Sequence, residues 1–496
     1  MENSDIKLSL HEKLLKKINT PALESFFMGK WYPLVVALLV LLGHSLGLEV
    51  YLCVINVLLF ALSMAVCNSV RPFITVLCTF LFQVPLLHSP GGPAWSDHYV
   101  KGANPYLLAL AVIVAVSTIV YAIIKFKVFK SLSFRDTPLL TSMCVLGAAF
   151  MLNGAFSSTW QPRDLLYGAV QAMLFPLCFL VFYKGLKAEK KLDELALYVS
   201  YTAAVMGVLL ALEMANLYIF GNDIYGSVFD PKGSVIKDRI HLGWATWNPV
   251  GVAIAVLVPA IFIGVIKSKH SWAYFLSAAV TCLAAILTFS RNAMIVSSLA
   301  FVASLLIACF FGEKRRKTAY RIITALGALL MLFFIIVLWD KIKIFADDIF
   351  KRGLSDNGRF KVWAVAIQNF KSKPVFGTGF YYFTSPYLYN YSPAIPLMAH
   401  QTFLQLLSSM GFVGLVAYVY YRLDTAEMFF KRPTVYKTLL GLSVLVLLIE
   451  SMLDNFIFTI FPLFFYSVAL AVSALIYEKQ IEDDLLKKRG KKNRRK

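Results

Sequence analysis

Charge is what this 496-residue sequence has least of: 15% of its residues are charged and 59% are hydrophobic, with a mean hydropathy of +0.69. Soluble chains carry about 25% charged residues, so a soluble globular domain is excluded. The seven cysteines (Cys53, Cys67, Cys78, Cys144, Cys178, Cys282 and Cys309) all fall inside apolar runs. None stands at metal-ligand spacing and none lies in a large loop, which excludes a disulfide framework and leaves small buried hydrophobes. No P-loop and no Gly-rich dinucleotide turn occurs, so chemistry driven by ATP or a nucleotide has no motif to rest on. Residues 1–30 have no apolar core and no cleavage site. The expectation is that no signal peptide is removed and that the first apolar run directs its own insertion.

Long apolar runs are there instead. Fourteen of them recur between Trp31 and Tyr477, at about 31–47, 49–66, 72–88, 105–124, 138–157, 165–183, 195–220, 248–266, 272–289, 292–311, 322–339, 399–421, 438–456 and 459–477. Each is long enough to cross a hydrocarbon core of about 30 Å. The expected fold is therefore all-α: a polytopic membrane bundle of about fourteen transmembrane helices.

The formal net charge of +20 is spread in a way that sets topology. The last ten residues, "KKRGKKNRRK", hold eight basic side chains, and most other Lys and Arg sit in short loops between runs. With both termini placed in the cytoplasm, inner segments collect 34 of the 48 basic residues and outer segments 14. Eleven of those 14 lie in two long outer loops, 221–247 and 340–398, which the positive-inside rule counts little. Such charge belongs beside anionic membrane lipids rather than on nucleic acid. The chain then divides into a cytoplasmic amphipathic segment 1–30, an N-terminal membrane block 31–220, the outer loop 221–247, a core 248–477 that includes the loop 340–398, and a basic cytoplasmic tail 478–496. Every inner loop is too short to hold a folded domain, so any chemistry is expected outside or within the bilayer.

The longer outer loop has structure of its own. In "GRFKVWAVAIQNFKSKP", Phe360, Trp363, Ile367 and Phe370 share one helical face and Lys361, Gln368, Lys371 and Lys373 take the others. Asn357-Gly358 and Pro374 mark its ends, which predicts an amphipathic helix on the outer membrane surface. Gly377 and Gly379 then make a turn before a dense aromatic stretch that suits an interfacial belt or sugar stacking.

Four ionisable residues fall at outer ends of runs: Arg291 in "LTFSRNAMIVSS", Arg359 at the start of the amphipathic helix, His400 at the start of the twelfth run, and Asp454 in "ESMLDNFIFTIF", with Glu450 one turn deeper. Singly, Arg291 reads as a snorkelling arginine, Arg359 as an exposed surface charge and His400 as a helix-end residue bonded to a carbonyl. Their agreement on one membrane face favours a site, since charge near the membrane interior is costly and has a task. Two guanidinium forks suit phosphate or pyrophosphate oxygens. A histidine beside them can take a proton from an attacking hydroxyl near neutral pH. No His, Asp or Glu cluster has metal-ligand spacing, so no metal and no other cofactor is expected.

Three stretches carry a resemblance. "LTFSRNAMI", "GRFKVW…NFKSKPVFGTGF" and "AHQTFLQLLSSMGFVG" resemble, in order, the Ser-Arg turn, the Arg-x-x-x-Trp helix ending in Pro-x-x-Gly-x-Gly, and the His-Asn-x-x-Leu…Gly span of the O-antigen ligase and polymerase superfamily. "WNPVGVAIAVLVPA" resembles that family's upstream Asn-containing span start. The likeness covers roughly 240–470. It implies a bacterial cytoplasmic-membrane glycosyltransferase with an extracytoplasmic site, using an undecaprenyl-diphosphate-linked oligosaccharide donor and a glycan acceptor, with flippase and chain-length regulator proteins as partners. By the same likeness Arg291 and Arg359 bind the donor pyrophosphate and His400 sits at the transfer centre. Gln401, Asp454 and Arg239 complete the substrate-binding set. Gln401 stands where the family more commonly has Asn.

Polymerisation of repeat units of a surface polysaccharide such as a capsule or exopolysaccharide is the leading expectation, argued from family membership. A ligase moving finished polymer onto lipid A core, wall or protein has the same residues. A lipid-linked oligosaccharide flippase is the reading from another class. Transporters commonly show internal repeats, and the loop 340–398 has no counterpart in the first half.

Overall fold

In a computed structural model, the structure describes residues 21–81, 105–130, 132–156, 162–221, 226–242, 245–312, 314–337, 359–379, 381–382, 385–386, 399–453 and 460–493. The chain forms helices α1 (Pro21–Met28), α2 (Trp31–Leu46), α3 (Glu49–Val66), α4 (Pro105–Lys125), α5 (Leu140–Ala155), α6 (Pro162–Leu186), α7 (Leu192–Phe220) and α8 (Trp247–Lys267). It continues through α9 (Ser271–Leu287), α10 (Arg291–Phe311), α11 (Lys314–Val337), α12 (Arg359–Ser372), α13 (Thr402–Phe430), α14 (Val435–Leu453) and α15 (Ile460–Asn493). Among the described residues eight helices are long and apolar enough to cross a membrane, or nine with the bent pair α1–α2 taken as one, and α5 and α9 are apolar but shorter. An all-α polytopic membrane protein is what this architecture makes.

Two local differences from the sequence reading stand out. The run expected at 72–88 is, over Arg71–Leu81, a 3-10 helix. Phe73, Ile74, Leu77 and Cys78 are all buried there, between α2 and α7, where the slimmer 3-10 helix fits. The segment placed in the cytoplasm as 1–30 ends in α1, whose Phe27 is buried and meets Tyr32 edge to face at 5.0 Å. Aromatic burial draws the end of that segment into the bundle.

α8 is the hub. It is apolar all round, nearly every residue from Val250 to Ile266 is buried, and α7, α9, α10 and α14 pack on it. The N-terminal block is not separate from the rest, because α13 packs on α5 and α15 packs on α6.

The ends of the helices sort the candidate residues. Lys267, the last residue of α8, lies over the Tyr436 ring at the start of α14, 5.6 Å from its centroid. Lys437 in the same turn donates to the Lys431 carbonyl just beyond α13, at 2.6 Å. So α8 and α13 finish at one end of the bundle and their N-termini lie at the other. The Lys125 ammonium, which donates to the Met64, Ala65 and Cys67 carbonyls, and the Lys187–Glu478 ion pair fasten the first end. The opposite end holds the starts of α8, α10 and α13.

Candidate functional site

At that opposite end the turn bearing Arg291 is tied to the start of α8. Ser290 Oγ donates to Asn248 Oδ1 at 2.8 Å, and the Ser290 N–H donates to Thr288 Oγ1 at 3.2 Å. A Cβ on Gly251 would sit 2.4 Å from that of Ala293, so glycine there lets α8 approach this turn closely. Ser290 occupies the N-cap of α10, yet its side chain makes no cap hydrogen bond because its hydroxyl goes to Asn248. Arg291, exposed, is the first residue of α10.

The helix predicted within the long loop is present as α12, with Arg359 half-buried at its start. The side it turns to the protein is not the one that carries Phe360 and Ile367. Ala366 and Asn369 are buried and Val362 packs with Leu404, whereas Phe360 and Ile367 are exposed. The physical reason is the docking of α12 on α13, which takes the small residues inward and leaves two large apolar side chains outward. One turn after Arg359, the Trp363 indole N–H donates to the Ala399 carbonyl at 2.9 Å. The helix of Arg359 is thereby set against the residue that precedes His400.

α13 is not the continuous span expected at 399–421. It breaks at Gly411, where φ is 61° and ψ is −157°. The Pro374–Gly379 loop stitches into the break: Phe412 N–H donates to Pro374 O at 2.9 Å and Val413 N–H to Val375 O at 3.1 Å. In return Thr378 N–H donates to Ser408 O at 3.0 Å and Gly379 N–H to Ser409 O at 2.9 Å. A broken helix is tolerated at membrane depth only where its freed backbone groups find such partners. A Cβ on Gly377 would fall 2.3 Å from the Ser409 carbonyl carbon, and one on Gly411 2.5 Å from Val375 O, so backbone meets backbone at both. From α5, Asn153 Nδ2 adds a donor to Ser409 O at 2.5 Å, and Phe156 stacks on Phe376 with centroids 4.3 Å apart.

His400 has φ of +51°, a left-handed conformation that costs a non-glycine residue about 1–3 kcal/mol. Phe289, two residues before Arg291, also has φ of +51°. The remaining described non-glycine residues with positive φ, Lys127, Leu139 and Arg432, lie at the opposite end of the bundle. Strain at this end therefore coincides with the two turns carrying the candidate groups.

The Trp363–Ala399 bond ties α12, which Arg359 opens, to the backbone just before His400. Arg291 lies at the same end, and α14 packs against both its helix and that of His400. Arg239 sits in a short 3-10 turn of the 221–247 segment and donates from Nη1 to Ser227 O at 2.8 Å. That segment folds as a hairpin with Phe229 bridged to Val235, followed by strands β1 (His241–Leu242) and β2 (Ala245–Thr246) that lead into α8. Gln401 caps α13, its Oε1 accepting from the Leu404 N–H at 2.5 Å. Asp454 lies outside the described residues. Glu450 is buried on α14. Among the described residues no group of three or more His, Cys, Asp and Glu is placed to hold a metal ion.

Sequence reasoning missed the residues that hold these turns. Asn248 and Gln405 lie within family-like stretches and Asn153 within a plain apolar run, and none of the three has a local pattern that gives it a role. A polar side chain inside an apolar run was the available signal for all three.

Residues 275–419 match the family profile described as O-antigen ligase. That stretch contains Arg291, Arg359, His400, Gln401 and Gln405 and leaves Arg239 and Asp454 outside it. It supports the resemblance to the O-antigen ligase and polymerase-like superfamily and suggests a glycosyltransferase of that type. No curated protein matches the chain.

Proposed function

We propose that this protein transfers an oligosaccharide from an undecaprenyl-diphosphate donor to an acceptor hydroxyl at the extracytoplasmic face of a bacterial cytoplasmic membrane, joining repeat units of a surface polysaccharide. The observation that carries this reading is the Trp363–Ala399 hydrogen bond, which sets the helix of Arg359 against the His400 turn. In the proposed step the acceptor oxygen bonds to the donor's anomeric carbon as the bond from that carbon to the pyrophosphate oxygen breaks. His400 takes the hydroxyl proton. Arg291 and Arg359 stabilise the charge that develops on the departing undecaprenyl diphosphate. The basic residues at the other end of the bundle support this orientation, since the positive-inside rule places them in the cytoplasm.

The test is transfer in proteoliposomes, with the lipid-linked repeat extracted from cells deleted for this protein. Arg291→Ala, Arg359→Ala and His400→Ala are each expected to lose on the order of 100-fold in turnover. Near-normal turnover in all three overturns the assignment. Products that grow by whole repeats identify a polymerase, and transfer onto a lipid A core or wall acceptor alone identifies a ligase.

A further inference from the structure

The two peptide groups that flank Ala399 are both held by side chains. The Ala399 N–H donates to Gln405 Oε1 at 2.9 Å, and the Trp363 indole N–H donates to the Ala399 carbonyl at 2.9 Å. Ala399 and Gln405 are each 0% exposed, so bulk water has no access to either bond. The amide of Gln405 is fixed in turn, because its Nε2 donates to Ser409 Oγ at 3.1 Å. Flipping that amide would set its NH2 against the Ala399 N–H and leave two donors facing each other. Ser409 is itself anchored: its carbonyl accepts from Asn153 and from Gly379. A continuous hydrogen-bonded path therefore runs from α5, through the stitched break in α13, to the backbone immediately before His400.

The peptide unit that Trp363 holds is the one whose nitrogen belongs to His400. With that plane and the preceding one both fixed, the left-handed turn at His400 has little room to relax. A rigidly held side chain is what proton transfer needs, because small misplacement of a reacting group costs turnover rather than binding.

We propose that Gln405 and Trp363 are positioning residues: they lock the Ala399–His400 turn so that the imidazole meets the acceptor hydroxyl. This rests on the glycosyl-transfer reading of His400. Neither residue touches the reacting atoms in this scheme, and their effect passes through His400.

The experiment measures kcat and donor KM per folded molecule for the full chain in proteoliposomes, using the lipid-linked repeat from deleted cells as probe. Gln405→Met keeps the length and apolar stem and removes both amide bonds. Trp363→Phe keeps one aromatic ring and removes the indole N–H together with the second ring, so the folded fraction and thermal midpoint are read beside kcat. The expected result is a kcat lowered roughly 10–100-fold in the first and about fivefold or more in the second, with donor KM within about twofold of wild type. A purely structural role lowers the folded fraction and the thermal midpoint but leaves kcat per folded molecule unchanged. That result in both variants overturns the proposal. Should Gln405→Met fail to fold, Trp363→Phe decides alone, an unchanged kcat being again the overturning result. His400→Ala runs beside them. If it retains wild-type turnover, the reading of His400 has failed and the proposal with it, whereas a loss in His400→Ala with full kcat in the other two defeats the positioning role only.

Discussion

Asn153 Nδ2 donates to the Ser409 carbonyl at 2.5 Å, so a helix outside the family-matching stretch grips the break in the helix that follows His400. The bond spans 256 residues of sequence and joins the N-terminal membrane block to the core. Interhelical hydrogen bonds in membranes contribute about 0.6–2 kcal/mol each. Asn153→Leu is therefore expected to lower stability in detergent by about 1 kcal/mol and turnover by roughly tenfold, through loosening of the break. Thermal unfolding and the transfer assay check the two effects separately. A stability loss with wild-type turnover would show that the break tolerates the movement.

Gly411 and Gly377 have backbone reasons to be glycine that Gly47 lacks. All three have positive φ, but a Cβ on Gly47 meets nothing within 4 Å while one on Gly411 or Gly377 meets main-chain atoms. Gly47→Ala is expected to cost about 1 kcal/mol. Gly411→Ala and Gly377→Ala are expected to cost at least about 3 kcal/mol, or to abolish folding, because backbone atoms cannot step aside. Yield of monodisperse protein and its thermal midpoint rank the three, and equal values for all would remove the argument for a tightly stitched break.

Asn248 controls the Arg291 turn through Ser290. If Arg291 binds the donor as proposed, Asn248→Ala is expected to raise the donor KM about five- to tenfold, as the turn bearing Arg291 loses its tether. Asn248→Asp keeps an acceptor for the Ser290 hydroxyl and is expected to stay nearer wild type. A donor KM unchanged in the alanine variant would detach Asn248 from substrate binding.

In the proposed step two guanidinium groups supply the positive charge that a divalent ion supplies elsewhere. Transfer is expected to continue in EDTA at no less than about half its normal rate. A strict requirement for a restored divalent cation would argue against arginines as the pyrophosphate clamp.

The orientation of the bundle has its own measurement. Lys232 is exposed on the hairpin before α8, and Lys431 is exposed beyond the end of α13. With a membrane-impermeant maleimide, Lys232→Cys is expected to label in intact cells and Lys431→Cys only after lysis. Cys67, at the same end of the bundle as Lys431, is buried, which shields its thiol from the reagent. Labelling of Lys431→Cys in intact cells would invert the bundle and place His400 in the cytoplasm.

The helices themselves were legible in the sequence, because a helix in lipid satisfies its backbone locally and needs an apolar surface of fixed length. Hence the runs at 31–47, 49–66, 248–266 and 292–311 lie within a residue or so of α2, α3, α8 and α10. The amphipathic helix beginning at Arg359 was legible for the same reason. Which side of α12 turns inward was not, because Phe360 and Ile367 satisfy the same helical period as Val362 and Ala366. Only packing against α13 chooses between those faces. The break at Gly411, the grip of Asn153 on Ser409 and the clamp on Ala399 were beyond reach of any local pattern. Each satisfies a backbone group with a partner from another element, and such pairings exist only once the chain has folded.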